Sequence, residues 1–191
     1  MTILILGLII FLGIHSTRIV AEAWRTKQLA RLGTSPWKGI YSLVSVVGLG
    51  LIIWGFGLAR LSPVLIWTPP IAMRHIASLL TLFAFVLITA AYLPRNSIKA
   101  KLHHPMMLGV MAWAIGHLLA NGTLADIILF ASFLVWSFLA HNAARQRDRI
   151  THTTYPAGTA ASTILTVLIG LIAWAVFAFL LHGPLIGVRP F

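Results

Sequence analysis

GIYSLVSVVGLGLIIWGFGLA, residues 39–59, runs for twenty-one positions without a charged side chain. A helix that spans a bilayer needs about 20 mainly apolar residues. In lipid each backbone N–H and C=O must be bonded within the protein, so a spanning segment is either a helix or a strand of a closed barrel. Barrel strands alternate apolar and polar residues. This stretch does not alternate, and so it predicts a membrane helix over Gly39–Ala59.

The same pattern recurs along the chain. Further apolar runs cover Thr2–Ser16, Ile76–Leu93, Met106–Ala120, Leu124–Leu139 and Gly158–Leu181. The first, fourth and fifth of the six runs are short for a full span. Of the 191 residues, 59% are hydrophobic and 9% are charged, whereas a soluble domain carries about 25% charged residues. A water-facing surface cannot be built from this composition, and the lipid bilayer takes its place. The expected fold is therefore all-α: a polytopic membrane helix bundle of about six spans, forming one domain over residues 1–191. No Lys or Arg precedes the first run, while Arg18 and Arg25 follow it. That order is the reverse of a secretory signal and predicts an anchor.

The net charge is +11. In a soluble chain this would point to nucleic acid. Here the basic residues fall in short loops, where the positive-inside rule and anionic lipid account for them, so no nucleic-acid partner is expected. Alternate loops hold Arg18, Arg25, Lys27, Arg31 and Lys38, then Arg95, Lys99 and Lys101, then Arg145, Arg147 and Arg149. The intervening loops and the tail hold only Arg60, Arg74 and Arg189. This asymmetry predicts six spans, basic loops in the cytoplasm and both termini outside.

Local signals refine the picture. Asn121–Gly122 predicts a tight turn and an antiparallel pairing of the fourth and fifth helices. Ser62–Pro63 and Thr68–Pro69–Pro70 break the second connection. Ile19–Leu32 mixes apolar residues with Arg25, Lys27 and Arg31, which suits a segment lying along the cytoplasmic interface. Gly48, Gly50, Gly55 and Gly57 dot the second helix. They permit close backbone approach between helices, or room for a flat ligand.

Without cysteine, disulfides and thiolate chemistry are excluded. Glu22, Asp126 and Asp148 are the only acids, so paired-carboxylate catalysis is excluded too. Asp148, among Arg145, Arg147 and Arg149, suggests a local surface ion pair. If the first helix continued, Glu22 would share a face with His15. The eight histidines are the informative residues. The predicted topology puts His15, His103, His104 and His141 near cytoplasmic helix ends, His75, His117 and His182 near outer ends, and His152 in a loop.

Zinc sites usually take three protein ligands, often with an acid. A haem needs one or two axial ligands and an apolar slot, and neutral imidazole brings no net charge into lipid. His104 and His117 stand about 20 Å apart along one helix and cannot share an iron. His104 can pair at its own depth with His15 or His141, and His117 with His75 or His182. Proline suits the first position of a helix and holds the preceding residue out of helical geometry, so His104–Pro105 puts His104 at a helix mouth.

Three motifs bear a resemblance to a known family. Gly13-Ile14-His15-Ser16 closes the first helix and Trp37-Lys38-Gly39-Ile40-Tyr41-Ser42 opens the second. His104-Pro105-Met106-Met107-Leu108-Gly109 opens the fourth and is followed by Trp113, His117 and Asn121-Gly122. In order and spacing, over nearly the whole chain, they resemble the NnrU family of bacterial membrane proteins. The resemblance implies a multi-pass protein of the bacterial inner membrane, linked to denitrification through nitrite and nitric oxide metabolism, with other membrane proteins of nitrogen-oxide respiration as partners. The plant zeta-carotene isomerase is similar in its membrane domain and uses haem b held by two histidines. Carried over by motif, those metal ligands fall at His15 and His104, with His117 a further cofactor-binding candidate.

An isomerase-like haem enzyme acting on a lipidic substrate and a cofactor-free assembly or scaffold factor are the alternative readings, so the resemblance leaves open whether the protein is an enzyme. The His-Pro-x-x-x-Gly segment also resembles isoprenylcysteine-type methyltransferases. Those enzymes carry an acidic pair near the C-terminus, and this chain has no acid after Asp148.

Overall fold

The computed structural model describes residues 1–190. Each apolar run is helical: α1 (Thr2–His15), α4 (Thr34–Ala59), α5 (Ala72–Tyr92), α7 (Pro105–Ala120), α8 (Leu124–Thr151) and α9 (Ala160–Val176). Short helices occupy the connections: α2 (Thr17–Val20), α3 (Glu22–Leu32) and α6 (Ser97–Leu102). After α9 comes a π-helical turn, Phe177–Leu181, and then α10 (His182–Ile186). Among the described residues there is no strand, only the isolated bridges Leu65–Thr123 and Asn96–Thr159.

Four helices are long and apolar enough to cross a membrane: α4, α5, α8, and α9 continued to Ile186. The other two are shorter. α1 has 14 residues and α7 has 16, about 21 and 24 Å of helix against a hydrocarbon core of about 30 Å.

Several helices start or end beyond the limits of the apolar pattern. α4 begins five residues before Gly39, and α8 runs twelve residues past Leu139 into the arginine-rich stretch. Hydropathy marks the lipid-facing part of a helix, whereas backbone hydrogen bonding continues until a cap stops it. For α8 the start is a capping box: the Thr123 side chain accepts from the Asp126 N–H, and the Asp126 carboxylate accepts from the Thr123 N–H. Asp126, near the end of α8 away from the arginines, is thereby consumed as a cap. α1 does not continue to Glu22, because the backbone leaves the helix at Ala21 (φ −137°, ψ 36°). Glu22 instead pairs with Arg18 and Arg25, both at 3.3 Å.

In space the apolar helices follow the order α4, α1, α8, α7, α5, α9. Two tight packings dominate, α1 on α4 and α5 on α7, and α7 and α8 form the antiparallel pair that the Asn121–Gly122 turn predicts. α1 meets α8 along a much sparser seam, and α1 and α7 do not pack closely on each other. Side chains fill that seam. Leu4, Leu8, Ile52, Ala114, Ala125, Leu129 and Phe130 form the buried cluster, with Phe11, Trp113 and Phe133 against it.

Glycines set the closest approach. A Cβ on Gly48 would lie 2.8 Å from the Phe11 nitrogen, and one on Gly7 2.6 Å from the Ile52 nitrogen; one on Gly55 would run into the Leu4 backbone. Gly50 and Gly57 face open space. Gly48 and Gly55 thus serve close packing, the first of the two uses expected for the glycines.

Candidate functional site at the basic end of the bundle

α1 ends and α7 begins at the same end of the bundle, the end whose loops carry eleven of the fourteen Lys and Arg residues. His15 is the last residue of α1. Its Nδ1 donates to the Phe11 carbonyl at 2.7 Å, since a carbonyl only accepts, and Nε2 therefore keeps its lone pair. The ring stacks on Phe11 (4.2 Å between centroids) and meets Tyr41 (5.1 Å) and Trp136 (6.0 Å) edge-on.

His104 caps the N-terminus of α7 with its backbone outside helical geometry (φ −118°, ψ 59°), and Pro105 is the first helical residue, as the dipeptide predicts. The residue before it is under strain. His103 has φ 64° and ψ −53°, and the His104 N–H donates to the Leu102 carbonyl at 2.7 Å. This is a γ-turn in its rarer, positive-φ form. A non-glycine residue there costs about 1–3 kcal/mol and persists only where the surroundings enforce it.

The enforcing contacts are visible. His104 Nε2 lies 2.7 Å from Asp148 Oδ2, and the Tyr155 hydroxyl donates to the same oxygen at 2.9 Å. The two side chains of the His104–Asp148 pair are 22% and 19% exposed. The His103 ring stacks flat on Tyr155 (4.3 Å, 7°). His104, Asp148, Tyr155 and His103 thus tie the start of α7 to the end of α8 and to the loop beyond it.

Sequence reasoning misassigned one of these residues and missed another. Asp148 forms no ion pair with its neighbouring arginines; its partners are His104 and Tyr155. On α8, residues 147 and 149 do not face 148, and Arg145, one turn back, makes no ion pair with it, so adjacency in sequence was a poor guide. Tyr155 sits in an irregular loop, where no periodicity could have marked it.

His141 is brought to His104 across the bundle, with ring centroids 6.2 Å apart and planes at 87°. Its Nδ1 is buried without a hydrogen-bond partner. Among the described residues no hydrogen bond or ring contact joins His15 to His104, nor His117 to His75 or His182. His117 lies toward the far end of α7, where its Nδ1 donates to the Trp113 carbonyl at 2.8 Å and its ring stacks on Phe130 at 4.5 Å. No group of three or more His, Asp or Glu residues that could hold a metal ion occurs among the described residues. The unpartnered His141 nitrogen and the free Nε2 of His15 are imidazole donors that a cofactor could use.

Tyr155 has a measurable signature. Burial, together with the hydrogen bond and charge of Asp148, pushes its phenol up from 10 to about 12. A raised phenol pKa means that the fold favours the protonated form. This contribution to stability is complete below pH 10 and is lost as pH rises through about 12. Phenolate absorbance of the folded protein should therefore show one tyrosine titrating near pH 12. In Asp148→Asn that tyrosine should titrate earlier; an unmoved titration would contradict the Asp148 contact.

No curated protein and no solved structure matches the chain. The family model described as "NnrU protein" matches residues 3–190, nearly its whole length. The helical build, the apolar spans and that match agree with the motifs at His15 and His104, and the chain belongs to the NnrU family.

Proposed function

We propose that this NnrU-family protein crosses a bacterial inner membrane six times, with both termini outside, and holds haem b at the cytoplasmic end of its bundle with His15 and His104 as axial ligands. The observation that carries the reading is the placement of the two shortest apolar helices. α1 and α7 both rest on the long helix α8 without closing on each other, and each presents a histidine at its basic end. Apolar side chains fill the space between the two helices, and at its basic end they would form the wall against which a flat apolar group could lie.

The donor chemistry supports the same reading. Metal-binding histidines typically give their second ring nitrogen to a carboxylate or carbonyl, which fixes tautomer and orientation. His15 does so with the Phe11 carbonyl and His104 with Asp148. His104 would then coordinate through Nδ1 and His15 through Nε2. Phe11, Trp113 and Phe133 supply the apolar walls. When bound, haem b supplies one-electron chemistry, in keeping with a role in nitrite and nitric oxide metabolism. Six spans follow if α1 and α7 cross as part of the row, flanked by longer neighbours.

A second reading pairs His104 with His141, favoured by their 6.2 Å separation and by the bare nitrogen of His141. The visible spectrum of protein made under haem-replete conditions tests both. The wild type should keep a Soret band through purification, and His104→Ala should lose or shift it. Loss in His15→Ala with retention in His141→Ala supports the first pair; the opposite result supports the second. A colourless wild type would sink both and leave a cofactor-free assembly factor.

A further inference from the structure

Beside Tyr155, on the side away from Asp148, lies a cleft of about 340 Å³ lined by Pro94, Arg95, Asn96, Lys99, Ala100, Tyr155 and Pro156. We propose that this cleft binds the phosphate group of an anionic phospholipid of the surrounding leaflet. The inference is independent of haem.

Charge is the first argument. Arg95 forms no ion pair among the described residues, and neither do Arg145 and Arg149, which line a smaller cleft beyond the His103–Tyr155 stack. Lys99 is held in place, its Nζ donating to the Ala91 carbonyl at 2.8 Å near the end of α5. An ammonium has three N–H groups, so two are left for a ligand. Asp148 lines the smaller cleft, with Arg145 and Arg149, and no acid lines the one that holds Arg95 and Lys99. The cleft therefore carries fixed positive charge with no internal counter-ion, and an anion would neutralise it.

Rigidity is the second. The Thr159 N–H donates to the Arg95 carbonyl at 2.8 Å, the Ser162 hydroxyl to the Pro94 carbonyl at 2.6 Å, and the Ser97 N–H to Thr163 Oγ1 at 2.9 Å. Gly158 lies so close to Ser97 that no Cβ would fit. Asn96 is buried with both ends of its amide bonded, to the carbonyls of Ala90 and Leu93 and to the Lys99 N–H. Within this lattice Arg95 is held at φ 55°, a conformation that is uncommon for arginine. The guanidinium's anchor point is thus set before any ligand arrives, which lowers the ordering cost of binding.

Depth and wall chemistry select a lipid over a soluble anion. The cleft sits where α5 ends and α9 begins. The last residue of α5 is Tyr92, 72% exposed, and tyrosine is enriched at the headgroup level. Proline and alanine carbons and the Tyr155 ring make up much of the wall. One and two turns into α9, Ile164 (60%) and Leu168 (50%) face outward and offer a surface for acyl chains. Basic recesses between spans on the cytoplasmic side are suited to anionic headgroups.

The test is thermal unfolding of the full chain in neutral detergent, with phosphatidylglycerol, phosphatidylcholine or inorganic phosphate added. Phosphatidylglycerol should raise Tm by at least about 3 °C, and phosphatidylcholine should not. Arg95→Asn should abolish the rise while folding normally, because asparagine tolerates positive φ. Arg74→Gln, which removes a charge at the other end of the bundle, should retain it. An equal rise with phosphatidylcholine, or a full rise in Arg95→Asn, overturns the proposal. A rise with inorganic phosphate as large as with the lipid also overturns it, and assigns the cleft to a soluble phosphate.

Discussion

Replacing Gly55 by leucine should prevent α1 from docking on α4 and destabilise the fold by more than about 3 kcal/mol. Its Cβ would meet the backbone of Ile3 and Leu4, which cannot rotate away as a side chain could. Ordinary overpacking costs about 1–3 kcal/mol because side chains yield, and here the obstruction is main chain. Membrane helices gain no hydrophobic drive from meeting each other in lipid. Their association rests on close van der Waals contact through small residues, so a displaced helix has little else to hold it. Gly57→Ala is the control. It faces open space, and alanine is a better helix former than glycine by about 0.8–1.0 kcal/mol, so that variant should be unchanged or slightly more stable. Thermal unfolding by circular dichroism, with size-exclusion profiles, measures both. A Gly55→Leu protein melting with the wild type would mean that α1 does not pack on α4 as described.

The second large effect is expected at Asp148. Asp148→Ala strands the His104 ring nitrogen and the Tyr155 hydroxyl, both partly buried, and should cost about 2 kcal/mol, since hydrogen bonds to charged groups are worth about 1.5–3 kcal/mol. Asp148→Asn should cost less, because the amide oxygen still accepts one bond. The pair also pins the strained His103 turn, so its loss should loosen the loop after α8 and speed tryptic cleavage at Arg149, which is exposed. A double-mutant cycle between Asp148→Ala and Tyr155→Phe isolates the contact. Residues in one network couple by about 0.5–3 kcal/mol, and additive effects would remove Tyr155 from the network.

Both expectations rest on features with different sequence visibility. Gly48 and Gly55 could be singled out as small residues in an apolar helix, but nothing in the pattern separated them from Gly50 and Gly57. That difference depends on the face turned to α1. The His104–Pro105 helix start was legible because proline geometry is local. Asp148 was misread because its arginine neighbours are close in sequence, whereas its partners lie 44 and 7 residues away. The shared face that His15 and Glu22 would have on a continuous helix is lost at Ala21, whose helix-breaking backbone has no proline or glycine to announce it.

What the amino-acid order determined by itself is the set of apolar helices, the Asn121–Gly122 hairpin, the basic loops and the family. These follow from composition, hydropathy runs and turn chemistry, which act over a few residues or sum over the chain. Tertiary structure alone decided that α8 lies between α1 and α7, that His104 faces Asp148, Tyr155 and His141, and that Arg95 lines a cleft. In lipid every apolar face is equally content to meet a neighbour or an acyl chain, so hydropathy carries no record of which helix meets which. That choice comes from shape, in the glycine contacts, and from a few polar groups that find partners only across the bundle.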